Sequence, residues 1–197
     1  ILATIFFSSQ WKYMRFTYSE ANLLPDDHPV NQTYNEFLEV FGEEGNLVVI
    51  GVRDSSLFTV EKLNAWNRLS EKFKSFDAVE TVISISELQK LVKNNTAERF
   101  DLEPIIADSL NSQTQVEELE NELFNQYPFY ENFLFNTETK TVRTAIYLKK
   151  EIVNTEARKT FIMVDLLNTV TAFENREQLD VRISGMPYIR TLNSQNI

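Results

Sequence analysis

LLPDDHPVNQTYNEFLEVFGEEGNLVVIGV, residues 23–52, contains a turn, a helix and a strand in direct succession. Pro25 and Pro29 bracket Asp26, Asp27 and His28, so no regular element continues through this polar turn. Val30, Tyr34, Phe37, Leu38 and Phe41 recur at helical spacing and predict an amphipathic helix from Val30 to Phe41. Gly42 and Gly45 stop that helix, and Leu47–Val52 follows as an apolar run of strand length. An unbroken apolar strand belongs in a sheet interior, covered on at least one face.

The elements downstream have a readable order. Thr59 caps a helix from Val60 to Phe76, on which Val60, Leu63, Trp66, Leu69, Phe73 and Phe76 form one apolar stripe. Trp66 is expected to be buried, and so is Phe161 further on. Val79–Ile85 reads as a second strand. Ser86 and Gln89 read as a capping box opening a short helix through Val92, and Pro104 opens another short helical piece through Leu110. Gln113–Tyr127 is a longer helix with Val116, Leu119, Leu123 and Phe124 on its buried face. Asn132–Asn136 and Thr141–Lys149 predict a hairpin, Thr155–Phe173 a long helix, and Leu179–Ser184 an alternating last strand ended by Gly185-Met-Pro187. With the segment 86–127 set aside as a helical insertion, the core reads β-α-β followed by β-α-β. That is an α+β chain of the ferredoxin-like, split βαβ kind, with both long helices on one face of an antiparallel sheet.

Composition narrows the function classes. At 197 residues the chain can bury one good core, and its 43% hydrophobic and 24% charged content excludes wholesale disorder. A net charge of −10 argues against nucleic acid as a partner. There is no Cys and a single His, His28, which removes thiol nucleophiles, cysteine metal sites and histidine-pair ligand sets. The four glycines are too scattered to cradle a phosphate. Asp26, Asp27 and His28 read as a solvated turn whose carboxylates cap the following helix. Glu117, Glu118, Glu120 and Glu122 read as a wet helix face without convergent geometry. Arg53 and the Ser55-Ser56 pair follow the first strand without a phosphate-binding loop or a neighbouring base. No catalytic residue, cofactor or metal is therefore expected, and Asn31 and Asn94 head N-x-T triplets taken as chance.

The chain begins with an apolar lead, Ile1–Phe7, and an aromatic and basic patch of Trp11, Lys12, Tyr13, Arg15 and Phe16. The lead reads either as a first element of the domain or as the outer end of a membrane helix with its interfacial belt. Together with residues 23–52 and the closing ISGMPYIRTL (residues 183–192), it resembles the first extracytoplasmic loop of resistance–nodulation–division (RND) exporters, on the branch that handles hydrophobic and lipid-like molecules. The resemblance favours the membrane-helix reading of the lead. It implies a ferredoxin-like porter domain of a proton-driven exporter in the inner membrane, exposed to the periplasm. Its partners would be a lipid-like substrate, the second periplasmic loop and about a dozen membrane helices, with a homo-oligomer left open. The implied division is 1–16 as helix end and interfacial segment, 17–45 as connector and entry helix, 46–190 as porter domain, and 191–197 as connector onward. The alternative is an extracytoplasmic sensor or protein-interaction module sharing the fold.

One aromatic stretch stands out. Phe124, Tyr127, Phe129, Tyr130, Phe133 and Phe135 crowd around the helix-breaking Pro128. Such rings either feed one core or form an apolar wall for a greasy ligand. Phe129 and Tyr130, which flank the break, are the leading substrate-path candidates, with Tyr127 and Phe133 beside them.

Overall fold

The computed structural model describes residues 4, 6, 8, 27–33, 36, 45–106 and 109–194. Strand β1 (Leu47–Val52) buries Val48, Ile50 and Val52 completely, while Leu47, Val49 and Gly51 on its other face are half-buried. It lies between β6 (Thr141–Leu148) and β7 (Val181–Ser184), antiparallel to both. β2 (Val79–Ile83) pairs with the far side of β6, giving the order β2-β6-β1-β7. A two-residue strand, β5 (Phe135–Asn136), pairs with the start of β6. The architecture is α+β on an antiparallel sheet, and β1 occupies the interior position its apolar run demands.

Register fixes which side chains share the dry face. Val48 lies opposite Ile146, Ile50 opposite Thr144 and Ile183, and Val52 opposite Val142 and Val181. Helix α1 (Val60–Lys74) packs here with Leu63, Trp66, Leu69 and Phe73 inward. Thr59 caps it, accepting from the Lys62 amide at 3.4 Å, and the Ser75 hydroxyl closes its end on the Lys72 carbonyl at 2.7 Å. Helix α1 thus stops at Lys74, two residues before the apolar stripe does, and Phe76 packs from the turn beyond. Helix α3 comprises Glu156–Thr160, Phe161–Leu166 and Leu167–Glu177, the middle part wound as a π-helix. Edge-to-face contacts of Trp66 with Phe173 (5.7 Å) and Phe76 with Phe161 (5.9 Å) tie α1 and α3 side by side. Trp66 and Phe161 are both buried, as their spacing predicts. Helix α4 (Met186–Asn193) closes the chain; Pro187 in its first turn suits a helix start, so Gly185-Met-Pro187 is a strand-to-helix switch rather than a simple stop.

One polar pair sits in this core: the Ser70 and Thr144 hydroxyls meet at 3.0 Å and both residues are fully buried. Thr144→Val strands the Ser70 hydroxyl and should cost about 1–3 kcal/mol, whereas combining Thr144→Val with Ser70→Ala should recover much of it. Urea melts of the two single variants and the double variant measure this; a double variant that costs the sum of the two single variants would show that the hydroxyls are not coupled.

The insertion departs from expectation. The capping box at Ser86 does not form: Ile85–Glu87 is a single 3-10 turn, and Gln89–Asn94 and Arg99–Pro104 are strands β3 and β4 of a separate hairpin. Ser84 and Ser86 hydroxyls bond each other at 2.6 Å instead. Ile85 and Leu88 are drawn into the core on either side of the turn, which pulls the chain out of any helical path. Pro104 ends a strand rather than opening a helix. The Asn94 amide builds the hairpin turn, accepting from the Thr96 and Ala97 amides and donating to Asp101. Helix α2 (Gln113–Gln126) forms where its period places it, with a capping box between Ser112 and Gln115. Asn64 of α1 anchors the segment before it, donating to the Leu110 carbonyl at 2.7 Å and accepting from the Leu110 amide at 3.1 Å. The insertion is therefore a hairpin followed by one helix.

The other differences are at element ends. The strand expected at Asn132–Asn136 is reduced to β5, α3 runs on to Glu177, and β7 starts at Val181. Residues 29–33 are helical, but the Val30 amide donates to His28 Nδ1 (3.2 Å), so the imidazole serves as a cap acceptor. Most of that helix and of the N-terminal lead lies outside the described residues; Thr4, Phe6 and Ser8 are helical and exposed.

Candidate functional site

The aromatic stretch divides into two populations. Phe124 projects from α2 between Phe58 and Phe135, with ring centroids 5.6 Å away on each side and edge-to-face geometry. Lys140 Nζ covers the Phe124 ring at 3.8 Å, a cation–π contact, and reaches Glu120 at 3.9 Å. Phe135 is 1% exposed and Leu134 fully buried. These side chains are core.

Beyond them α2 ends at Gln126, and Pro128–Tyr130 makes one 3-10 turn, with Pro128 supplying the fixed φ. The turn is tightly pinned. The Glu131 amide donates to the Pro128 carbonyl, the Leu134 amide to Tyr130, and the Asn132 amide to Phe135. Asn132 takes a left-handed φ of 64°, its carbonyl accepts from Arg143 Nη1, and the Thr137 hydroxyl bonds the Glu131 carboxylate. On this framework Phe129 is 87% exposed and Phe133 40% exposed. Tyr130 is half-buried against the core and stacks edge-on with Phe129 at 5.1 Å. Tyr127 is half-buried too; burial, then the Glu122 carboxylate and Tyr130, push its phenol above the usual tyrosine range.

The four candidates therefore lie on or beside one pinned turn, with Phe129 the most exposed of their rings. What the turn can do chemically is offer preordered aromatic area, with the phenols of Tyr127 and Tyr130 at its margin; large, stiff rings give contact area at low entropic cost. Phe129→Ala should change the melting temperature by less than about 2 °C, because it removes little buried area, while Phe135→Ala should lower it by roughly 6–20 °C. Equal losses would mean Phe129 is packed after all.

Other residues singled out in the sequence have local duties. Asp54 accepts from the Ser56 amide at 2.8 Å; this backbone bond, with a side-chain bond from Ser56, holds its carboxyl below the ordinary aspartate range. Lys62 Nζ donates to the Ser56 hydroxyl at 2.9 Å, joining the 3-10 turn Ser55–Leu57 to α1. Arg53 is exposed. Among the described residues no group of three or more His, Asp or Glu could hold a metal ion, and no helix is long and apolar enough to cross a membrane.

Two surface features escaped the sequence reading. Leu91, Phe100 and Leu102 are each more than 60% exposed on one face of the β3–β4 hairpin, where Leu91 lies opposite Leu102. Their signal was the alternation of Phe100 and Leu102 with polar residues in RFDLE. The second is a cleft between the end of α1 and the start of α3, whose walls come from residues far apart in sequence. Neither a scan against protein-family models nor a search of curated proteins returned a match.

Proposed function

We propose that this chain is the periplasmic porter domain of an RND-type, proton-driven exporter of hydrophobic or lipid-like molecules, with a ferredoxin-like core. The observation that carries the reading is that its two resemblance-bearing stretches meet in space. β1, which ends the first, pairs with β7, whose last two residues begin the second, with Ile50 opposite Ile183 and Val49 opposite Ser184. Gly185 then crosses directly over the backbone of Leu47 and Val48. Two separate β-α-β passages interleaved in the order β2-β6-β1-β7 support the split βαβ assignment.

A fold by itself does not name an activity. In this reading the domain has no catalytic duty; it binds, guides and gates, with Phe129 and Phe133 as contact points on the substrate path or on the second periplasmic loop, and the proton-carrying groups sit in membrane helices elsewhere. The test starts with the gene. A block of closely spaced apolar segments after residue 197, and later a second loop of this kind, are expected; one further apolar segment followed by a signalling domain would replace the exporter with a sensor. In cells carrying the whole gene, Phe129→Ala with Phe133→Ala should cut efflux of a hydrophobic dye about threefold or more at unchanged protein level, since such ring contacts contribute roughly 1 kcal/mol or more. Unchanged efflux removes this turn from the path.

A further inference from the structure

The cleft between α1 and α3 has the size and lining of a small-molecule site. It is an open cleft of about 540 Å³, a volume within the range of ligand pockets. Phe76, Ile152 and Phe161 supply an apolar floor, and the edge-to-face packing of Phe76 on Phe161 holds the two rings in place. The hydroxyl-bearing residues Ser75 and Thr160 and the carboxylates of Asp77 and Asp165 line its polar margin.

Both sides of the cleft are rigidly held. The turn after α1 is closed by the Phe76 amide on Phe73 and the Val79 amide on Phe76, and the Lys149 amide bonds Ala78. The opposite wall is where α3 changes to π winding, from Phe161 to Leu166. Insertions of this kind widen a helix locally and recur at functional sites. Here the wide turn carries Phe161 and Asp165 into the same opening.

Charge decides what the cleft accepts. No Lys or Arg is among its lining residues, and neither Asp77 nor Asp165 has an ion-pair partner among the described residues. Of the cations near the lining residues in sequence, Lys74 is held by Glu71 at 2.7 Å and by Glu87, Lys159 by Glu156 at 3.4 Å, and Arg158 is buried and donates to the Val153 carbonyl, while Lys149 and Lys150, beside Ile152, are exposed. Burial alone would lower the Lys74 ammonium, yet its bonds to Glu71 and Glu87 outweigh that and raise it. The whole chain carries −10, so the surrounding field repels anions as well. Aromatic walls beside carboxylates suit an ammonium group on an apolar body.

We propose that the cleft bounded by Phe76, Asp77, Ile152, Phe161 and Asp165 binds a soluble organic ammonium ion with an apolar tail. This inference stands on the cleft alone and holds whether or not the chain belongs to an exporter.

The test is calorimetric titration of the 197-residue chain with octyltrimethylammonium, kept below its micelle-forming concentration, and with octyl sulfate as the tail-matched anion. The cation should saturate one site and bind at least about tenfold more tightly than the anion, given the sign of the field. Asp77→Asn with Asp165→Asn should weaken the cation about tenfold without moving the melting temperature, since neither group has an ion-pair partner among the described residues. Ala157→Phe, at an exposed position on the rim, should fill the opening and abolish binding. Absence of cation binding, equal binding of octyl sulfate, or binding indifferent to the paired asparagine variant would each overturn the proposal. The dye-efflux result with Phe129 and Phe133 is independent of these outcomes, so failure of either reading is recognisable.

Discussion

Trp66→Ala is expected to lower stability by about 3–5 kcal/mol, a fall of roughly 6–20 °C in melting temperature for a chain of this size. Trp66 is fully buried where α1 meets both the sheet and α3, and Phe173 packs edge-on against its indole at 5.7 Å. Truncation leaves a cavity walled by a sheet and two helices, none of which can move inward without breaking strand pairing or helix contacts. The indole N–H has no acceptor among the described residues, so packing rather than a hydrogen bond anchors the side chain. Trp66→Phe should accordingly cost much less, about 1–2 kcal/mol, because it keeps an aromatic ring and removes a buried donor. Thermal and urea melts of both variants check this. Similar losses for Phe and Ala would mean that the indole N–H holds a bond the packing account does not include.

Gly185→Ala should be as severe, about 2–6 kcal/mol, for a different reason. Gly185 has φ 115° and ψ 152°, a region open to glycine and strained for any residue with a Cβ. An added Cβ would lie 2.2 Å from the Leu47 carbonyl oxygen and 2.9 Å from the Val48 Cα, both backbone atoms of the central strand. Neither can retreat without breaking the ladder to β6 and β7. Gly51→Ala is the matched control: its Cβ would come 3.3 Å from Arg143 Cγ, the stem of a flexible side chain, in ordinary extended backbone. That change should stay within about 1 kcal/mol of the parent. If the two variants melt together, the close crossing at Gly185 is not a constraint on the fold.

Much of the core was legible before any coordinates because its signals are local and long. α1, α2 and α3 carry a helical apolar stripe and β1 and β6 apolar runs of strand length, and each forms within four residues of where its pattern places it. The segment from Ser86 to Leu110 was not legible in the same way. Ser86 with Gln89 is a sound capping box in isolation, but a box is worth about 1 kcal/mol and burying Ile85 and Leu88 is worth more. The competing alternation of Phe100 and Leu102 gains its meaning only once the two strands are paired.

The aromatic turn shows the same division. Pro128 among six rings announces a break with some aromatic side chains outside regular structure. Composition could not tell that Phe124 and Phe135 are sealed against Phe58 while Phe129 stands in solvent, because that depends on which surface arrives on top of each ring. The cleft is the extreme case. Phe76 and Asp77 lie more than eighty residues from Phe161 and Asp165, and nothing local to either pair marks them as neighbours. Local periodicity and composition determined the α+β order, the central strand, the buried Trp66 and the acidic charge. The hairpin, the crossing at Gly185, the exposure of Phe129 and the shared opening of Asp77 and Asp165 were decided by tertiary contact, since each depends on surfaces that distant segments bring together.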